Sequence, residues 1–172
     1  MPSGRTHDRI TFWTLPLVTT LTMRLTVSLW ITAVVSAGFL FGGLMFGPDL
    51  DIHSVQYKRW GCFRWIWLPY RGSLLHRSTL SHGPIIGTTL RVIYVSIWLG
   101  VVVVIVAGCL NAIAQSAITW RDLGLSVSQL LQAHSQEWLG LLIGIELGAL
   151  SHSVSDWVVS SVKRSRRQRK RK

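Results

Sequence analysis

The histidines and acids of this chain fall in patterns that suit a metal ion. His152 and Asp156 stand four apart in a stretch whose spacing predicts a helix, about 40° apart around its axis and one turn along. An imidazole nitrogen and a carboxylate oxygen so placed can reach one ion. Pro48 cannot donate within a helix, so the chain is expected to leave its helix there. In an extended D-L-D-I-H the side chains of Asp49, Asp51 and His53 then point to one side. His76 and His82 are six apart in H-R-S-T-L-S-H, on different faces if helical, so they serve different roles or lie in a loop. Arg77 beside them can neutralise a phosphate. Leu-Ser-His occurs at both 80–82 and 150–152, which makes Ser81 and Ser151 candidates for orienting the rings.

Imidazole and carboxylate without thiolate favour zinc, manganese or iron over copper(I). The two cysteines, Cys62 and Cys109, form no C-x-x-C and read as packed thiols. The metal-ligand candidates are His7, Asp49, Asp51, His76, His82, His152 and Asp156. That many donors around one pocket can hold two ions, an arrangement that clamps the attacking and leaving oxygens of a phosphoester, with Arg77 as the catalytic cation. His53 is as well explained by structural hydrogen bonding. His134 and Glu137 make only a two-ligand site, and Glu146 is expected to pair with a polar group between helices.

The elements that must bring these residues together are apolar. Apolar residues make up 49% of the 172 and mean hydropathy is +0.38, which excludes disorder and a small disulfide-stapled module. Residues 25–48 and 92–120 carry no charge over 24 and 29 positions, and a bilayer core needs about 20 helical residues. Residues 138–161 are apolar apart from Glu146, His152 and Asp156, and residues 10–23 form a shorter uncharged run containing Pro16. The expected fold is all-α, a multi-pass membrane bundle of about four helices. Between the second and third helices, Y-K-R-W-G-C-F-R-W-I-W-L-P-Y-R reads as an aromatic and basic loop at headgroup depth.

Net charge is +11, but eight of the eighteen bases lie in the last ten residues, and the other ten against seven acids leave +3. Residues 1–162 therefore read as one membrane-embedded domain and 163–172 as a polybasic cytoplasmic tail held to anionic lipid headgroups. Nucleic acid is the lesser reading of that tail. The hydrophilic start of the chain, with its carboxylate, argues against a cleaved signal. Basic residues before the first run, between the second and third, and after the fourth put both termini on the cytoplasmic side. Four up-and-down helices would then gather His7, Asp49, Asp51, His76, His82, His152 and Asp156 at one end.

At S-G-R-T-H-D-R-I-T, F-G-P-D-L-D-I-H-S-V-Q-Y-K-R-W-G, H-R-S-T-L-S-H-G-P and S-H-S-V-S-D-W the chain resembles an uncharacterised bacterial family of metal-binding membrane proteins, across nearly its whole length. More distantly, the order His, Pro-Asp-x-Asp, His-Arg…His, His-x-x-x-Asp is similar to inner-membrane metal-dependent hydrolases and, through them, to zinc phospholipase C and the single-strand nucleases of that fold. That resemblance implies a phosphoester hydrolase with a lipid-like substrate. Its ligands would be His7, Asp49 or Asp51, His82, His152 and Asp156, with Asp156 bridging two ions.

Overall fold

The computed structural model describes residues 4–76, 78–114 and 118–169, and every element among them is helical. In chain order these are α1 (Gly4–Thr26), α2 (Leu29–Leu44), a 3-10 turn (Pro48–Asp51), α3 (Val55–Arg59), a second 3-10 stretch (Gly61–Trp67), α4 (Leu68–Ser73), α5 (Thr79–His82), α6 (Ile86–Ala114), α7 (Trp120–Ala133) and α8 (Ser135–Arg169). Among the described residues, three segments are long and apolar enough to cross a membrane: Leu29–Asp51, Ile86–Ile113 and Ser135–Val162.

The expected fourth span, residues 10–23, lies within α1 but is not apolar enough to count with these three. Its threonines explain the difference. Thr14, Thr20, Thr22 and Thr26 each return a hydroxyl to the carbonyl four residues back, which keeps the helix intact while lowering its hydropathy. The uncharged run at 25–48 is likewise divided. Val27 adopts φ 50°, a left-handed conformation costly for a β-branched residue, and Ser28 caps α2 by accepting from Ile31 N–H.

The run at 92–120 is also cut. α6 begins earlier, at Ile86, and ends at Ala114, while Trp120, the last residue of the run, opens α7. Thr119 and Asp122 form a reciprocal capping box there, and apolar residues such as Leu123, Val127, Leu130 and Leu131 recur at helical spacing. The fourth run, 138–161, is the middle of the 35-residue α8, which crosses the expected boundary at residue 162 without a break and continues to Arg169.

The helices alternate in direction. α1 folds back on α2, with Thr19 and Ser36 hydroxyls 2.9 Å apart and Thr11 against Gly43. α2 and α8 run parallel, from Trp30 Nε1 donating to Glu137 at 3.4 Å toward the contact of Gly43 with Gly148. α6 begins beside the middle of α8, where Ile85 N–H donates to Glu146 at 2.9 Å, and residues 85–93 and 142–147 line one groove. The start of α1, the ends of α2 and of the apolar part of α8, and the start of α6 therefore meet.

Glycine sets the closeness of the α2–α8 pair. A Cβ on Gly38 would lie 2.6 Å from the Leu141 carbonyl oxygen, one on Gly144 2.9 Å from Phe39 N, and one on Gly148 2.5 Å from Gly43 N. Gly38-x-x-x-Gly42 thus faces Gly144-x-x-x-Gly148 with backbone against backbone, the small-residue packing that suits helices in an apolar solvent.

Below the meeting point lies an aromatic core of Phe46, Leu50, Tyr57, Trp67, Tyr70 and Ile145. The aromatic and basic stretch is thus a chain of short helical turns rather than a loop. Tyr57, Trp67 and Tyr70 turn inward, while Phe63, Trp65 and Leu68 stay exposed. Packing decides this split: Trp67 stacks on Tyr94 and meets Phe46 and Tyr70 edge-on, a larger apolar burial than the surface offers. Replacing Gly148 with Ala should push α8 off α2. We expect a loss of about 1–3 kcal/mol from overpacking, read as a lower midpoint of thermal unfolding in detergent, whereas Gly124→Ala, in open space, should cost nothing there.

Candidate metal centre

The seven candidate ligands reach the meeting point from five parts of the chain. His7 comes from the end of the first turn of α1, Asp49 and Asp51 from the 3-10 turn after α2, His76 from the segment before α5, His82 from the end of α5, and His152 and Asp156 from α8. Among the described residues, two groups have ligand atoms within 4.8 Å of one another: His7, His152 and Asp156, and Asp49, His76 and His82.

Hydrogen bonds fix which nitrogen of three rings is free. Ser155 donates its one hydroxyl proton to the His152 carbonyl at 2.8 Å, so toward His7 Nδ1, also 2.8 Å away, its oxygen must accept. His7 therefore carries its proton on Nδ1, and its Nε2 lone pair points toward Asp156 Oδ1 at 3.4 Å. Ser81 donates to the carbonyls of Leu75 and Ser78, so it too accepts, from His82 Nδ1 at 2.9 Å. In the third ring, His76 Nδ1 donates to Asp51 Oδ1 at 2.9 Å. Such bonds to the outer nitrogen set the ring orientation of metal-binding histidines.

Apart from His152, whose Nδ1 accepts from the Gln56 amide so that its neutral ring carries the proton on Nε2, what remains is a set of acceptors facing acceptors. Buried and without hydrogen-bond partners are Nε2 of His76, His82 and His152, Oδ1 of Asp49, Oδ2 of Asp51 and both oxygens of Asp156. At about 1–3 kcal/mol for each unpaired buried group, these seven atoms would cost on the order of a domain's entire stability, about 5–15 kcal/mol. A cation between them removes that cost.

The separations suit one. Two ligands of a tetrahedral ion with bonds of about 2.0–2.1 Å lie about 3.3–3.4 Å apart. His152 Nε2 is 3.3 Å from Asp49 Oδ2, His7 Nε2 is 3.4 Å from Asp156 Oδ1 and His82 Nε2 is 3.6 Å from Asp49 Oδ1. The donor set, imidazole and carboxylate, fits a divalent ion. Burial, and then the neighbouring His152, push the His7 imidazole below its ordinary pKa, which keeps the ring neutral as a ligand must be.

The structure separates the two aspartates that an extended chain would align. Pro48–Asp51 is a 3-10 turn, and at about 120° per residue positions two apart point in different directions. Asp49 faces His152 and His82, while Asp51 binds His76 and lies 3.8 Å from His82 Nδ1. His53 leaves the cluster and rests against Tyr57, ring centroids 5.4 Å apart. Ser151 donates to the Gly148 carbonyl instead of orienting His152. Asp156 faces His7, and it is Asp49 whose two oxygens face different histidines. Arg77 lies outside the described residues, as do positions 170–172 of the basic tail.

Three residues matter here that spacing did not single out. Ser155 is hidden as a serine among serines. Gln56 lies 3.5 Å from His152 Nδ1, donates to the Gly43 carbonyl at 2.9 Å and lines, with His7, Asp8, Asp49 and His152, a void of about 20 Å³, the size of one water. Arg91 is 2% exposed and donates to the Ser81 carbonyl and the Thr88 hydroxyl, both at 2.9 Å, so it holds the turn that carries His82. Its signal was in the sequence: a single cation at the mouth of a long uncharged run is costly without a partner. Beside it, burial pushes the Tyr70 hydroxyl up while Arg91 pulls it back. Glu146, expected to pair between helices, accepts from the backbone N–H of Ile85 at 2.9 Å, securing a residue at φ 63°.

An all-helical protein with a buried histidine and carboxylate cluster at metal-ligand separations is the class that fold and site define. The chain belongs to the family of uncharacterized metal-binding proteins (DUF2227), which it matches over residues 2–166. It is also similar to an uncharacterized protein of Aquifex aeolicus (strain VF5), 34% identical over 58 residues, a stretch covering 33% of this chain and 40% of that relative. The chain thus spans two fifths of that relative's length. No solved structure matches. The likeness to metal-dependent hydrolases and zinc phospholipase C rests on motif order alone.

Because Ser155 fixes the His7 tautomer and Ser151 does not touch a ligand ring, the two serines should separate on substitution. Ser155→Ala should weaken metal binding about 10–100-fold in competition with a chromophoric chelator, while Ser151→Ala should leave it unchanged.

Proposed function

We propose that this protein is a metal-dependent phosphoester hydrolase embedded in a membrane, acting on a phospholipid-type substrate. One observation carries the reading: bare imidazole nitrogens and carboxylate oxygens converge at one end of a bundle whose long helices are apolar outside. His7, Asp49, His76, His82, His152 and Asp156 are the residues that would hold divalent metal, which would supply Lewis acidity and lower the pKa of a bound water towards neutrality. Zinc is the first choice for this donor set, with manganese or iron next.

The chain's own residues supply the rest. Ser155, Ser81 and Asp51 hold the rings in register, and Gln56 and Asp8 line a water-sized void beside them. An apolar groove of about 370 Å³ between α6 and α8 shares Thr88 and Glu146 with a small polar pocket that reaches His82. A lipid chain in that groove would bring its headgroup to the ligands. Arg77 is our candidate for taking up charge on the phosphate. The basic residues from 163 onward would hold the end of α8 to anionic headgroups, with both termini and the site on the cytoplasmic side.

Burial of His7, His152 and Asp156 favours a second reading, a non-catalytic protein that keeps metal for structure, sensing or delivery. Elemental analysis and turnover of a phospholipid in mixed micelles separate the two. The hydrolase reading expects stoichiometric metal, turnover that a chelator abolishes and metal restores, and loss of both in the His152→Ala, Asp156→Ala double variant, which should still partition with alkali-washed membranes. Tightly held metal without turnover selects the second reading, and turnover retained in the double variant overturns the first.

A further inference from the structure

We propose that α7 is an in-plane membrane helix, its apolar face sunk into the boundary between lipid headgroups and acyl chains on the side of the bilayer away from the metal cluster. This rests on the reading of the chain as membrane-embedded and extends it to a segment that takes no part in the site.

The sequence of α7 is two-faced. At about 100° per residue, Trp120, Leu123, Val127, Leu130 and Leu131 fall within an arc of about 120°. Arg121, Asp122, Ser126, Ser128, Gln129 and Gln132 lie outside that arc, with Leu125 the one large apolar residue among them. The helix is capped at both ends, by Thr119 and Asp122 at its start and by His134 N–H donating to the Leu130 carbonyl at 3.2 Å. None of its residues is buried, and Trp120, Val127, Leu130 and Leu131 are exposed. Among the described residues, no part of the fold buries the apolar arc.

The neighbouring segments identify what does. α7 joins the end of α6 to the start of α8, and both of these are long and apolar enough to cross a membrane. Each joint is tight. Asn111, in the last turns of α6, donates its amide to the Ile118 carbonyl at 2.9 Å and accepts from Ile118 N–H at 3.0 Å. At the other end only His134 separates α7 from α8. A helix tied at each end to the end of a span is held where the hydrocarbon stops. From Ser135 to His152 is 17 residues, about 25 Å of helix, so this level is opposite the cluster. Exposed indoles mark the same level: Trp30, at the start of α2, donates to Glu137 at 3.4 Å beside Trp138, and Trp120 opens α7. Tryptophan favours that depth of a bilayer.

A protein partner fits the face less well. A 14-residue helix is about 21 Å long and about 10 Å wide, so one side offers roughly 200 Å², against about 800 Å² per partner in a stable protein interface. Nor is charge there to recruit one, because Arg121 and Asp122 offset each other and both lie outside the apolar arc. Insertion into lipid scales with the apolar area buried and has no such threshold. Since α6 is exposed along most of its length, α7 is then the strut that sets the spacing between the far ends of α6 and α8.

The full chain, with Cys62→Ser and Cys109→Ser, reconstituted in phosphatidylcholine nanodiscs and spin-labelled at one introduced cysteine at a time, tests this. Oxygen, which concentrates in hydrocarbon, and a water-soluble nickel chelate compete to relax each label. We expect oxygen to dominate at Val127→Cys and Leu131→Cys, about 5–10 Å into the boundary, nickel to dominate at Gln129→Cys and Gln132→Cys, and Leu99→Cys, in the middle of α6, to be deepest. The same pattern should persist when anionic phosphatidylglycerol is added. Nickel dominance on both faces of α7 with Leu99→Cys still deep overturns the inference and leaves the membrane reading standing; nickel dominance at Leu99→Cys overturns both. Oxygen dominance on both faces would make α7 part of a span. Labels on the apolar face shielded from both reagents, with dipolar broadening between chains, would give that face to a second copy. Either result, or a pattern that appears only with anionic lipid, overturns apolar insertion.

Discussion

The contact on which the rest depends is the backbone-to-backbone crossing of α2 and α8. Gly38 and Gly42 against Gly144 and Gly148 leave no slack for a side chain, so the two helices are fixed in both rotation and axial position. His152 follows Gly148 by one turn and Asp156 by two, so the face that packs on α2 is continued by the face that carries ligands. Asp49 lies just past the end of α2. An added methylene at the crossing would displace these donors by more than the few tenths of an ångström that metal coordination tolerates. Small residues at a helix interface and donors one turn beyond it thus form a single device.

Assembly alone would leave the site unfavourable. Carboxylates and imidazole nitrogens are brought out of water with no hydrogen-bond donors of their own, and their outer nitrogens are already committed to Ser155, Ser81 and Asp51. These commitments are paid for twice over in specificity, since they choose the tautomer and aim the lone pair. The remaining imbalance is cationic in demand, and a ligand that binds only the folded state stabilises it in proportion to its affinity. Metal uptake would accordingly be coupled to folding, as it is wherever ligands converge only in the native state.

The surroundings divide the molecule by solvent. Under the cluster, Trp67, Tyr57 and Tyr70 form a dense aromatic core, and Arg91 bonds to the turn that carries His82. Above it, α6 presents isoleucine and valine outward along most of its length. Such a surface is well matched to hydrocarbon and is compatible with a membrane protein.

By itself the sequence determined the helical class, the long apolar segments and the set of candidate donors, because these follow from local composition and from spacing along one helix. His152 and Asp156 share a face at i, i+4 whatever surrounds them. It also limited the number of ends at which the donors can meet, through the order of apolar runs. Only the tertiary structure decided which donors face which. Pro48–Asp51 winds as a 3-10 turn, so Asp49 and Asp51 part company and take different roles. Ser155 rather than Ser151 reaches a ring, because the ring it reaches belongs to α1, 148 residues away. Gln56 matters through a carbonyl contact that has no sequence signature, and the partners of Arg91, though not the need for them, are likewise tertiary. Contacts of that kind depend on the depth and rotation of packed helices, which the glycine crossing sets and the pattern of apolar residues leaves open.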